Sequence, residues 1–190
     1  MAVDKKPKDV LIEVASRLFR LRGYYGVGLN DIIEESGIPK GSLYHYFPNG
    51  KEELAIEAIN HSKQLVIDEI QEVFERIEDP VSAIQTHIYH LSKIFGDGST
   101  LIGSPIGTIA GEKHSTSEPI RVACQLAFDD WQSIYIKKLV EAGYGKKRSE
   151  DLSFVLNAMI EGGILLSLTK KSGKPLQAIA EQIPLLLVKK

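Results

Sequence analysis

The sequence predicts an all-α protein of about nine helices arranged in two modules. Three observations carry that prediction. Apolar residues recur at helical spacing along nearly all of the 190-residue chain, and no run alternates as a half-buried strand would. Glycines and prolines cut the stretch before residue 50 into short helices but leave long ones after it.

The first helix is expected from about Lys8 to Arg22, with Leu11, Val14, Ala15, Leu18 and Leu21 on one face and Gly23 as its stop. A short helix over 30–35, a turn at Gly37 and a second short helix over 40–46 follow. After "PNG" a long helix opens at Lys51 or Glu52, carries Leu54, Ala58, Leu65, Ile70, Val73 and Ile77, and ends at Asp79-Pro80, because proline disfavours helix in the residue before it. Its length suits a connector. The fifth helix covers roughly 81–95, and the glycine-rich "GDGSTLIGSPIGTIAGEKHSTSEP" leaves room for one short helix after Pro105. Long helices over about 118–142 and 149–171 and a last one over 176–188 complete the chain. The expected domains are residues 1–50 and 51–190.

Composition bounds the function classes. A hydrophobic fraction of 43% with 25% charged residues describes a chain able to bury a core. The net charge of −2 rules out a polycation, but the first 51 residues carry eight Lys/Arg against six Asp/Glu while the remainder carries fifteen against nineteen. Such a distribution permits an anion-binding N-terminal module. "MAVDKKPKDV" lacks an apolar leader core, and "FVLNAMIEGGILLSL" is interrupted by Glu161 and two glycines, so a cytoplasmic location without a membrane partner is expected. The lone Cys124 can form neither an internal disulfide nor a thiolate metal site, and packs as a small apolar residue. His87 and His90 lie three apart on one helix face without a second ligand pair, and "GSPIGTIAG" is not followed by G-K-[ST]. Neither a metal nor a cofactor is expected.

Residues 36–54, "SGIPKGSLYHYFPNGKEEL", concentrate small, basic and ring-bearing side chains in a stretch too polar to be core. Two short helices joined at a glycine, the second rich in hydrogen-bonding groups, describe a helix-turn-helix. Ile32 and Ile38 pack under the turn, and Leu43 and Phe47, four apart, face inward. Lys40, Ser42, Tyr44, His45 and Tyr46 are left outward. Lysine supplies counterion-releasing charge, Gly41 allows close backbone approach, and the Tyr44 hydroxyl can donate to phosphate. Ser42 and His45 can reach base edges, and Lys51 sits at the N-terminal turn of the long helix, where free N–H groups attract anions.

The motif "LNDIIEESGIPKGSLYHYFPNGKEEL" closely resembles the helix-turn-helix signature of the TetR family of bacterial transcriptional repressors, T-x-x-D-I-A-x-x-A-G-V-S-x-G-x-L-Y-x-Y-F-x-S-K-E-x-L. Position by position, the resemblance implies phosphate contacts from Lys40, Gly41, Tyr44, Tyr46 and Lys51, with base or groove contacts from Ser42 and His45. Gly28 occupies the DNA-binding position at which the family places a threonine that caps the second helix. Ile33 replaces a small alanine, and "FPNGKEEL" is one residue longer than the family pattern. That insertion, together with "GSPIGTIAGE", resembles the LmrA/YxaF subgroup of drug- and flavonoid-responsive repressors. The resemblance implies a homodimer on double-stranded, palindromic operator DNA, released by a small hydrophobic, aromatic, flavonoid-like inducer.

In the seventh helix Cys124, Phe128, Trp131 and Tyr135 follow at i, i+4, i+7 and i+11, a stripe that suits either core or a ligand cavity. If it faces a cavity, the expected ligand wall is Phe128, Trp131 and Tyr135 with Ile94, Phe95, Phe154 and Asn157. Small residues in the eighth helix, Ala158, Gly162 and Gly163, permit close helix approach, and the last helix has an apolar face wider than one contact needs. The resemblance implies that these two helices pair with their symmetry mates, and Ala158, Gly162, Gly163, Leu166, Ile179 and Ile183 are the expected dimerisation residues. Two other classes compete. A helical-bundle enzyme would use His87, His90 and the aromatic stripe on a small aromatic molecule, but no nucleophile or acid-base pair accompanies them, so no enzyme is expected. A ligand-insensitive regulator or an activator would share every DNA-binding feature.

Overall fold

The computed structural model describes residues 5–96 and 105–188, and these form nine α-helices without a strand. They are α1 (Pro7–Arg22), α2 (Leu29–Ser36), α3 (Lys40–Tyr46), α4 (Lys51–Arg76), α5 (Pro80–Gly96), α6 (Pro105–Lys113), α7 (Glu118–Glu141), α8 (Lys146–Lys170) and α9 (Lys174–Leu186). The chain divides into two compact units, Met1–Gln64 with Ser104–Ala127, and Leu65–Gly103 with Phe128–Lys190. Both α4 and α7 therefore contribute to each unit. α6, which follows α5 in sequence, belongs to the unit that holds α1–α3.

The first unit is built by local rules. Gly23 stops α1 at φ 70°, and its N–H donates to Phe19 O at 2.9 Å. Asp31 closes the start of α2 by accepting the Gly28 N–H at 2.6 Å, the half of a capping box that does not depend on the side chain at position 28. Gly37 ends α2 in the left-handed region at φ 67°, a conformation that costs other residues a steric penalty. Leu11, Ala15, Leu18, Phe19, Ile32, Leu43, Phe47, Leu54 and Ile59 are all buried and form the interior, whereas Leu21, expected on the inner face of α1, is exposed in the last turn, where Phe19 takes the inner place. Arg17 pairs with Glu35 from α1 to α2. Cys124 is buried with its Sγ near Ile106 O, and burial pushes its thiol up to about 11.

The second unit has one apolar core drawn from α4, α5, α7, α8 and α9, including Ile70, Phe74, Ile84, Ile88, Tyr135, Leu156, Ile160, Leu176 and Ile183. Asp79 caps α5 by accepting the Ser82 N–H at 2.8 Å and its hydroxyl at 2.7 Å. α9 continues through Pro184, which has no N–H to give the Ala180 carbonyl. Gln85 Nε2 on α5 donates to that carbonyl at 2.8 Å and so replaces the missing helical bond.

Three expected dimerisation residues lie inside this core. Gly163 is buried, and a Cβ there would sit 2.6 Å from Ile179 Cδ1 and 2.7 Å from Leu176 Cδ2. Ile183 is fully buried and Ile179 is packed against the core, so all three are engaged within their own chain, Gly163 and Ile179 at the contact of α8 with α9. Ala158, Gly162 and Leu166 lie on the other side of α8. They are exposed together with Phe154, Val155 and Leu165, at spacings of three and four residues that make a continuous apolar stripe.

This two-sided character explains why α8 is apolar along most of its length. α8 contains an 18-residue window of mean hydropathy 1.6, so by length and composition it could span a membrane. Only 39% of that window is buried in the fold. One side belongs to the core described above, and the other is the exposed stripe.

Candidate functional site

The outward side of α3 is set by how the helix is packed. Leu43 and Phe47, 0% and 1% exposed, fix its inner side, and the Phe47 N–H donates to Leu43 O at 2.8 Å to end the helix. With those two side chains inward, Lys40, Gly41, Tyr44 and His45 are exposed, Ser42 and Tyr46 are half-buried, and Gly28 is exposed before α2. The Lys40 ammonium lies 6.0 Å from the Tyr44 ring centroid, and the His45 and Tyr46 rings meet edge-on at 5.2 Å. A cation, a phenol and an imidazole therefore share one short helix face, the donor set that phosphates and base edges accept.

Lys51 is placed differently from the rest. The extra residue in "FPNGKEEL" is absorbed by Gly50 at φ 68°, whose N–H donates to Phe47 O at 2.9 Å. Lys51 Nζ then stacks 4.1 Å over the Tyr24 ring, and partial burial holds its pKa below the usual lysine range. Its charge belongs as much to the α1–α2 turn as to the outer surface.

That turn is also gripped from α6. Glu112 Oε2 accepts the Tyr24 N–H at 2.6 Å and the Tyr25 N–H at 3.1 Å. Lys113 Nζ covers the same two rings at 4.8 and 5.3 Å. Gly23, at φ 70° and ψ 177°, holds a conformation that favours glycine, and a Cβ there would lie 2.2 Å from Glu112 Oε1 and displace the carboxylate from the clamp. Ser117, at the start of α7, donates to Glu52 Oε1 on α4 at 2.5 Å. Sequence reasoning missed this clamp because Tyr24 and Glu112 stand 88 residues apart and no local pattern links them.

In the second unit the aromatic stripe is buried. Trp131 and Tyr135 are 5% and 2% exposed, and Phe128 meets Trp131 edge-on at 5.5 Å. Asn157 Nδ2 donates to Phe128 O at 3.4 Å and ties α8 to α7. Two of the expected wall residues are not part of this group. Phe154 is 61% exposed because Leu156, Asn157 and Ile160 take the inner side of α8, and Ile94 is 40% exposed on α5. The side chain of Phe95 lies outside the described residues.

The two histidines separate. His90 is exposed, whereas His87 is 1% exposed, and its Nδ1 is buried without a hydrogen-bond partner. Burial first, and the neighbouring His90 second, push His87 down to about 4, so the imidazole is neutral. Among the described residues no three metal-ligating side chains converge.

Comparison with known proteins follows this geometry closely. Residues 11–58 match the family "Bacterial regulatory proteins, tetR family", and residues 80–182 match "Transcriptional regulator LmrA/YxaF-like, C-terminal domain". The chain is 46% identical over 183 residues to the HTH-type transcriptional regulator YxaF of Bacillus subtilis strain 168, covering 96% of each chain. It is 48% identical over 180 residues to the HTH-type transcriptional regulator LmrA of the same organism, covering 95% of this chain and 96% of LmrA. The crystal structure of a TetR transcriptional regulator from Legionella pneumophila shares the fold, with a TM-score of 0.85 at 20% identity over 97% of this chain and 98% of that one.

Proposed function

Since this chain belongs to the TetR family of bacterial regulatory proteins and carries an LmrA/YxaF-like C-terminal domain, we propose that it is a cytoplasmic, homodimeric repressor that leaves its palindromic operator when a small aromatic ligand binds the second unit. The observation that carries the DNA-binding half is the exposed set of Lys40, Gly41, Tyr44 and His45 over a buried Leu43 and Phe47. Lys40, Gly41, Tyr44 and Tyr46 hold phosphates, and Ser42 and His45 read bases. Two such helices enter successive major grooves when their separation is near one turn of DNA, about 34 Å.

Release requires a ligand that favours the off-DNA arrangement. α4 and α7 continue from one unit into the other, and the Glu112 clamp makes α6 part of the DNA-reading unit. A ligand that shifts these helices moves the α1–α2 turn with them. Buried Trp131 and Tyr135 beside Phe128 favour a flat, weakly polar aromatic molecule of the flavonoid kind.

Two measurements test this reading. Lys40→Ala should weaken binding to specific and unrelated DNA about equally and flatten the salt dependence by about one unit. An unchanged affinity and slope would remove Lys40 from the interface. A gel shift with the chain's own upstream DNA should show release by an aromatic probe in step with a change in emission of Trp131, the single tryptophan. Release without any change in emission would move the ligand away from the stripe.

A further inference from the structure

The buried imidazole of His87 has no role in the packing described so far. Its Nδ1 lies 3.8 Å from Glu69 Oε1, too far for a direct hydrogen bond and close enough for one oxygen at ordinary distance, about 2.8 Å, to reach both. Buried polar groups are rarely left without a partner, so an unmatched nitrogen beside a carboxylate marks a place where something else completes the pair.

The surroundings say what that is. His87 on α5 faces the Tyr135 ring of α7 at 6.4 Å, and Phe74 of α4 meets Tyr135 edge-on at 5.8 Å. The pair thus stands at the edge of an aromatic wall within one unit. The Glu69 side chain is 35% exposed against 2% for His87, so the approach is from the carboxylate side. Negative charge is unwelcome there, because the Glu69 carboxylate itself lies 3.8 Å from His87 Nδ1. An ammonium or guanidinium carries donor hydrogens only and cannot accept from an imidazole N–H. A neutral hydroxyl meets both conditions, since it can accept from an imidazole N–H and donate to a carboxylate at once.

We propose that His87 and Glu69 together bind one hydroxyl group of the effector and so select phenolic aromatics over their O-alkylated counterparts. This rests on the aromatic-effector reading above and adds the residues that set its specificity. Neither residue belongs to the DNA-reading unit.

The test is a cycle of two ligands and three proteins, using the full-length chain. Isothermal titration with 5,7-dihydroxyflavone and 5,7-dimethoxyflavone is run on wild type, His87→Leu and Glu69→Ala, with operator release followed in parallel. Wild type should bind the dihydroxy compound about tenfold more tightly or better, as expected of a hydrogen bond to a charged partner. Each variant should lose that preference while keeping its affinity for the dimethoxy compound. Glu69→Ala, at a partly exposed side chain, keeps the test valid should His87→Leu not fold. A preference that survives in the variants would overturn the proposal, as would an equal loss for both compounds, which would make the pair a packing or water site only. If wild type binds both flavones equally, hydroxyl selection fails while the aromatic-effector reading stands. If it binds neither, both fail.

Discussion

Leu166→Glu should turn the protein into a monomer and weaken operator binding by roughly 10²–10⁴-fold, the loss expected when two linked contacts become one. Leu166 is 51% exposed in the stripe of α8 that also holds Phe154 at 61% and Leu165 at 65%. A contiguous apolar surface of this kind is seldom left in water, and a charge placed within it would be stranded on pairing. Because the side chain does not contribute to the core of its own chain, the helical content should stay near wild type. Sedimentation at micromolar concentration and a gel shift on the same samples check both halves. A Leu166→Glu protein that still sediments as a dimer would place the interface elsewhere.

Gly163→Val should act on the fold instead. Its Cβ would meet Ile179 and Leu176 side-chain atoms at 2.6 and 2.7 Å, and the added γ-carbons would force α8 and α9 further apart. Overpacking of this degree costs about 3 kcal/mol, the upper part of the usual range, or roughly 6–12 °C in Tm for a chain of this size. Gly162→Val is the matching control, since nothing lies within 4 Å of a Cβ at Gly162. It should spare the fold of the single chain and disturb only pairing. Equal thermal shifts in the two variants would contradict the side assignment of α8.

The contrast between neighbours explains what could be read in advance. Leu43 and Phe47 were legible as the inner face of α3 because α3 is polar elsewhere, so periodicity has one solution. α8 is apolar on both sides, and nothing in its sequence tells Gly162 from Gly163 or turns Phe154 outward while Asn157 turns inward. The same limit applies to Lys51. Its place at the head of the long helix was readable, but the Tyr24 ring it covers lies in the α1–α2 turn, brought near by packing alone.

By itself the sequence determined the nine helices of the described residues and the helix-turn-helix, because these rest on apolar period, turn chemistry and spacing within a few dozen residues, and the family followed from the residue-by-residue match of the motif. Tertiary structure decided which side of α8 and α9 is core, that α6 grips the α1–α2 turn through Glu112, and that His87 is buried beside Glu69 with no hydrogen bond at Nδ1. Those facts depend on close packing and on hydrogen bonds between residues far apart in the chain, where contact is set by which surfaces fit together rather than by any local signal.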